Sequence, residues 1–390
     1  MRPRWTTICC SLGAGILLAA APLDARATQA PLALFPLRPL WTLPLGSRLA
    51  VAPAYDGTRA YYAIAGDRLA AYDLATGLRR WLVDAAPTLP MAAGGDLVFL
   101  VEETSLRALR AADGSTVWQV ALAGALAAPP VWDNGWLIAA TAAGDIVALR
   151  ASDGVELWRS ALGSAAHAPP ALAADRVYVS LDDGRVAALQ VQNGARLWDR
   201  RLGGPGSGIL ALDDRVYVGS EDNFFYCLRA GDGRIDWRWR TGADVIGPPL
   251  VDGNLVYFVS LDNMLRALHR TSGVQRWRAP LPARPLGGPV KAGGTLLVAG
   301  VGSSVPAYSL VDGRLVGELS SGGETAGPPY AFRLPPAALP AVVAIGRDIA
   351  AGATAIAVTR AIEPPETPIA PLPNVAMPSP PGRRAGEPDP

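Results

Sequence analysis

The sequence is short of cysteine, histidine and lysine, and each shortage removes a class of function. Three cysteines occur in 390 residues, Cys9, Cys10 and Cys227. The first two lie in an apolar run at the N-terminus. A chain processed behind that run keeps one cysteine and no internal disulfide, so its stability must come from packing even in an oxidising compartment. The two histidines, His167 and His269, stand about a hundred residues apart with no acidic partner at ligand spacing, which argues against a zinc site. Lys291 is the only lysine, and 35 basic residues face 34 acidic ones. A nucleic-acid footprint needs a clustered positive surplus, so no nucleic-acid partner is expected. Disorder is not the default either, because 50% of the residues are hydrophobic and a sizeable core is possible.

Long apolar runs are equally scarce. The one at the N-terminus, TTICCSLGAGILLAAAPL, follows Arg2 and Arg4 and precedes Ala25-Arg26-Ala27, an A-x-A cleavage pattern. Residues 1–27 are expected to be a secretory signal and the mature protein periplasmic or secreted, with no strong membrane insertion. The alternative is an uncleaved anchor in the inner membrane, since the run has about the minimum length of a spanning helix. Cys9 and Cys10 come too early in the run to be lipidated. Residues 28–37 are expected to be a linker. Residues 362–390, which include PPETPIAPLPNVAMPSPPGRRAGEPDP, are too rich in proline and polar residues to pack and are expected to be a disordered tail.

What the chain does have is repetition. DRVYVSLDDGRVAALQVQNGARLW, ending on Trp198, is heard again directly afterwards as DRVYVGSEDNFFYCLRAGDGRIDW, ending on Trp237. Turn glycines at 77, 114, 154, 194, 233 and 273 are each followed four residues later by Trp81, Trp118, Trp158, Trp198, Trp237 and Trp277, at intervals of 37, 40, 40, 39 and 40. A seventh copy, AYSLVDGRLVG, has Gly317 in the tryptophan position, and Trp41 stands alone one such interval before Trp81. Within each copy, β-branched and aromatic residues alternate with Asp-Gly turns, the pattern of consecutive hairpins. Four strands in each unit of roughly 40 residues make one blade of an all-β propeller. Counting Trp41 and the strands near Ala341 and Ala353 as two parts of one unit, eight blades are expected over residues 38–361. The N-terminal strand would complete the last blade and remove an exposed edge.

AYDLATGLRRW, Ala71 to Trp81, matches the docking motif A-x-D-x-x-T-G-x-x-x-W of the quinoprotein propellers, and ALRAADGSTVW, ALRASDGVELW and ALQVQNGARLW keep its Ala, Gly and Trp. The chain therefore resembles that superfamily. The resemblance implies a blade-to-blade clasp made by Trp41, Trp81, Trp118, Trp158, Trp198, Trp237 and Trp277. In size and layout it is most similar to the BamB family of outer-membrane β-barrel assembly scaffolds, which implies a non-catalytic, cofactor-free interaction scaffold of the cell envelope, with the β-barrel assembly machinery as the implied partner. That family is typically lipidated, and this chain lacks a usable lipidation cysteine. The alternatives are a quinone-dependent dehydrogenase or a small-ligand sensor. A dehydrogenase of the superfamily carries calcium ligands, a catalytic Asp and usually a vicinal Cys pair in the mature chain; the one pair here, Cys9-Cys10, lies in the signal.

No residue recommends itself as a catalytic, metal or cofactor ligand. Cys227 falls where the other copies have Ala71, Ala108, Ala148, Ala188, Ala267 and Ala307, so it is expected to be a small buried strand residue. GGPGSG, Gly203 to Gly208, contains a fragment of a phosphate-binding fingerprint, but it bridges two blades and no helix follows. Turns between second and third strands carry Glu102-Glu103, Asp182-Asp183, Glu221-Asp222 and Asp262, which a propeller places on one face. Asp is a good turn former in its own right. The functional reading is an acidic arc for a partner, with Phe224, where the preceding blade has Arg185, as an aromatic anchor beside it.

Overall fold

Alternating apolar residues separated by Asp-Gly and Gly-Asp turns have period two, so each copy folds as an antiparallel meander. The computed structural model describes residues 34–361 except 104 and 349–351. The expected signal and tail lie outside the described residues, as does the linker up to residue 33. Seven four-stranded sheets follow one another, each in sequential strand order: blades 1 to 7 span residues 54–84, 92–121, 131–161, 171–201, 206–240, 245–280 and 290–320. Blade 8 takes its inner strands from residues 324–360 and its outermost strand, Leu37–Pro44, from the start of the described chain. Trp41 lies opposite Ala357 and Leu43 opposite Ala355. The eight-bladed β-propeller expected from the repeat is thus the fold, closed by the strand containing Trp41.

The middle strands of each blade are buried on both sides. In blade 4, Val177, Tyr178 and Val179 and the whole run Val186 to Leu189 are at most 2% exposed. The third strand is alanine-rich because it lies beside the tryptophan of the fourth: Ala188 is opposite Trp198, and Cys227 holds the same place opposite Trp237. Cys227 is fully buried, and burial pushes its thiol up to about 12, so it is a packing residue with little thiolate at neutral pH.

Each clasp tryptophan reaches forward into the next blade. The indole N–H of Trp158 donates to the Val191 carbonyl at 2.6 Å, and its ring lies on Gly194, where an added Cβ would come within 2.4 Å of the ring. Gly194 also has φ +70°, so glycine is required there twice over. The same bond and the same cover recur from Trp41, Trp81, Trp118, Trp198, Trp237 and Trp277 onto Leu74, Ala111, Ala151, Ala230, Arg270 and Leu310.

The contact between blades 7 and 8 differs. Gly317 is not an empty position: the ring of Phe35 lies on it, so close that an added Cβ would stand 2.4 Å from the ring. Leu34 beside it is fully buried and donates its N–H to Thr295 Oγ1 at 3.1 Å. Arg360 donates to the Phe35 carbonyl and Ala361 N–H to Pro36 O. Residues 34–37, within the stretch expected to be a linker, thus pack onto blades 7 and 8. The glycine-rich stretch at 203–208 also has a packing role: Gly208 lies against the backbone of Gly247 in the next blade, and Gly247 against that of Gly288.

Candidate interaction face

In a ring of meanders, the turns from second to third strand share one face with the loops that lead from blade to blade. That face, here the upper one, brings together all the residues expected in the acidic arc. Glu102 ends and Glu103 follows Leu97–Glu102 of blade 2, Asp182 and Asp183 follow Arg176–Ser180 of blade 4, Glu221 and Asp222 follow Arg215–Ser220 of blade 5, and Asp262 follows Leu255–Ser260 of blade 6.

The arc is not a free acidic field, because most of its carboxylates serve their own turns. Glu102 accepts from Arg107 at 3.0 Å and from Ala86 N–H at 2.9 Å. Asp183 accepts from the Arg185 guanidinium at 2.7 Å and from its backbone N–H at 3.1 Å. Burial would raise the Asp183 carboxyl, but Arg185 outweighs it and the acid is held below the usual range. Asp222 accepts from Gly203 N–H at 3.0 Å, Phe224 N–H at 3.1 Å and the Tyr226 hydroxyl. Asp262 accepts from Arg266 at 2.6 Å, Gly242 N–H at 3.0 Å and the Ser260 hydroxyl. Against the opposing effect of burial, these donors hold its carboxyl down at about 2. Arg266, 7% exposed, is a buried charge whose partner is this acid. Asp182 pairs with His167 Nδ1 at 2.7 Å, in the loop from blade 3 to blade 4. Glu103 and Glu221 remain exposed, with no side-chain partner among the described residues.

Phe224 is half-buried rather than presented. It opens the third strand of blade 5, packs against the core between blades 4 and 5, and has the Arg238 guanidinium 4.8 Å above its ring centroid. Arg238 belongs to a set that the sequence reading missed. Residues one and three places after a clasp tryptophan point away from the face that carries it, because side chains alternate along a strand. In blades 4, 5 and 6 four of these six positions hold arginine, Arg201, Arg238, Arg240 and Arg278, the others being Asp199 and Pro280, and all six are exposed. Arg240 lies directly opposite Phe224 and forms no ion pair among the described residues. The signal was available as an offset from each tryptophan. The upper face of blades 4 to 6 is therefore a mosaic of turn-bound carboxylates bordered by outward arginines.

Among the described residues no three His, Cys, Asp or Glu side chains gather as a metal site would require, and His269, bonded to Thr271 at 3.0 Å on the opposite face, is remote from His167. No described helix is long and apolar enough to cross a membrane.

Comparison with known proteins agrees with this architecture. The outer membrane protein assembly factor BamB of Yersinia pestis is 32% identical over 114 residues, and that of Moranella endobia 30% identical over 114. Each match covers 28% of this chain and 29% of the relative, so the chain spans under a third of the length of these relatives. Among solved structures, BamB from Moraxella catarrhalis superposes with a TM-score of 0.67 at 20% identity, covering 82% of this chain and 99% of that one. The quinohemoprotein alcohol dehydrogenase of Comamonas testosteroni gives 0.69 at 14% identity, covering 85% and 78%. Both likenesses are of fold alone. The family model for outer membrane protein assembly factor BamB matches residues 102–211 and 182–355, that is, from the end of the second strand of blade 2 into blade 8. The chain belongs to the BamB family of outer membrane protein assembly factors.

Proposed function

We propose that the protein is a non-catalytic interaction scaffold of the cell envelope that takes part in assembling outer-membrane proteins, with the upper face of blades 2 to 6 as its contact surface. The observation that carries this reading is the family match over residues 102–355, beside which the dehydrogenase likeness is one of fold at 14% identity. The face supports it physically. Carboxylates tied to their own turns and Arg238 laid over the Phe224 ring make a rigid, pre-ordered surface, and rigidity lowers the entropic cost of association. Glu103, Glu221 and Arg240, whose side chains form no ion pair among the described residues, are the groups a protein partner would engage; Phe224 supports Arg238 from beneath. The mature chain acts in the periplasm, after removal of residues 1–27 or held by them.

The test is complementation in a strain lacking the gene, comparing wild type with a Glu221→Arg, Arg240→Glu variant. Folded outer-membrane barrels should recover with wild type and recover poorly with the variant at equal protein level, and assembly components should co-purify with wild type alone. Equal recovery removes the contact surface from consideration. A second arm adds pyrroloquinoline quinone and calcium to the purified protein: bound-quinone absorbance or dye-linked alcohol oxidation would sink the non-catalytic reading.

A further inference from the structure

The ring seam carries a cavity that the repeat itself does not explain. The second and third strands of blade 8, Leu339–Asp348 and Gly352–Arg360, have 10 and 9 residues. Ala357 faces Trp41 as Ala188 faces Trp198, and alignment through this pair puts residues 346–348 and 352–353 beyond the upper ends of the blade 4 strands at Ser180 and Arg185. The extension is gripped on both sides. Leu45 N–H donates to Ala353 O and Ala353 N–H to Ser47 O, each at 2.9 Å, while Ala326 N–H donates to Ile345 O at 2.9 Å. Gly352 and Gly346 allow these approaches, since a Cβ would stand 2.8 Å from Ser47 N at the first and 2.0 Å from Ser321 O at the second.

Between the extension, the loop over residues 48–53 and the segment 326–328 lies a cavity of about 440 Å³, within the usual range for small-molecule sites. Its walls are apolar, with Leu49, Val51, Ile345 and the Tyr55 ring, which stacks on Tyr330 at 4.0 Å and 4°. Its two charged lining groups are both guanidiniums, Arg48 and Arg347. Glu324 holds Arg347 at 2.9 Å, whereas Arg48 is exposed and forms no ion pair among the described residues.

We propose that this pocket binds an apolar carboxylate, with the hydrocarbon or aromatic body against Leu49, Val51, Tyr55 and Ile345 and the carboxylate on Arg48, supported by Arg347. One unpaired guanidinium above apolar walls matches a monoanion with an apolar tail, and a guanidinium takes a carboxylate in two parallel hydrogen bonds. The carboxylate could be that of a free acid or of the last residue of a polypeptide. The proposal stands independently of the partner face, which lies on other blades.

The experiment titrates the full chain with 4-phenylbutyrate, with its amide, and with acetyl-Ala-Leu carrying a free or an amidated C-terminus, read by calorimetry and by ligand-observed NMR. The acid forms should bind at least about tenfold more tightly than the amides. Arg48→Gln should remove most of that difference, and Ala326→Phe, at an exposed lining position, should block every probe while the unfolding midpoint stays at the wild-type value. Binding by the peptide acid but not by phenylbutyrate assigns the site to chain termini; binding by both means that a free acid suffices. Equal binding of acid and amide, an acid preference unchanged in Arg48→Gln, or no binding by any probe at about 10 mM, an affinity weaker than roughly 3 kcal/mol, overturns the proposal.

Discussion

Seven blade interfaces and the eighth solve one packing problem with the parts exchanged. From blade 8 onto blade 1, and on to blade 7, a tryptophan on the earlier blade covers a glycine in the third-to-fourth turn of the later one. Between blades 7 and 8 the glycine, Gly317, is on the earlier blade, and the aromatic ring, Phe35, comes from the segment just before the later blade's outer strand. The exchange follows from closure. Blade 8 draws its third and fourth strands from opposite ends of the described chain, so it has no third-to-fourth turn to offer a glycine, and the incoming residues Leu34 to Pro36 occupy that place. What the comparison teaches is that the clasp is an aromatic ring on a bare backbone, and that either blade can supply the ring.

The comparison can be broken most severely from the tryptophan side. Trp158→Ala removes a buried indole and its bond to Val191, and should cost about 3–5 kcal/mol in reversible denaturation. A loss under about 1 kcal/mol would mean that the clasp is not what joins the blades. Next in size is the test of exchange. Gly317→Trp forces its Cβ into the Phe35 ring and should destabilise by about 1–3 kcal/mol, whereas the same change combined with Phe35→Gly should recover part of that loss. Simple additivity of the two changes would show that ring and glycine are not one contact. Phe35→Ala alone, at a half-buried site, should cost about 1–2 kcal/mol and speed amide exchange in Leu37–Pro44 before it does so in blade 4.

Acid separates the interfaces more gently. Asp262 ties the Gly242 amide in the loop between blades 5 and 6, and its carboxyl lies at about 2 in the fold against an ordinary 3.8. A depressed carboxyl contributes stability that is fully present above about pH 4 and is lost as pH falls through about 2. Between these values wild type should lose stability more steeply than Asp262→Asn, and the Phe35 contact, which is apolar, should add nothing to that slope. The smallest effect is expected at Cys227: native protein should stay unalkylated at pH 8 over hours, while unfolded protein reacts at once.

The turn glycines and tryptophans made the blade count, the place of Cys227 and the pairing of Trp41 into the last blade legible in advance, because each depends on spacing along one unit. The acidic arc was legible as a position and not as a surface. In sequence Asp183, Asp222 and Asp262 fit turn formers and a partner's contacts alike, and their hydrogen bonds show them holding turns; the donors Gly203 and Gly242 lie on neighbouring loops, well away in sequence from the acids they serve. Phe224 suggests an anchor because it stands where the preceding blade has Arg185, beside the acidic turn, yet Arg238 covers it from the adjacent strand.

The sequence by itself determined the repeat, the strand period, the glycines that a left-handed turn beneath an indole requires, and hence the eight-bladed ring. These are local rules, satisfied within a single unit and then repeated. Tertiary structure alone decided that Phe35 meets Gly317 from the far end of the described chain, that Arg266 and Asp262 neutralise each other below the upper face, and that the long hairpin of blade 8 opens a pocket beneath Arg48. Each is a meeting of residues whose partners the spacing does not identify, and the free energy of such a meeting depends on distance and burial, which only the closed ring supplies.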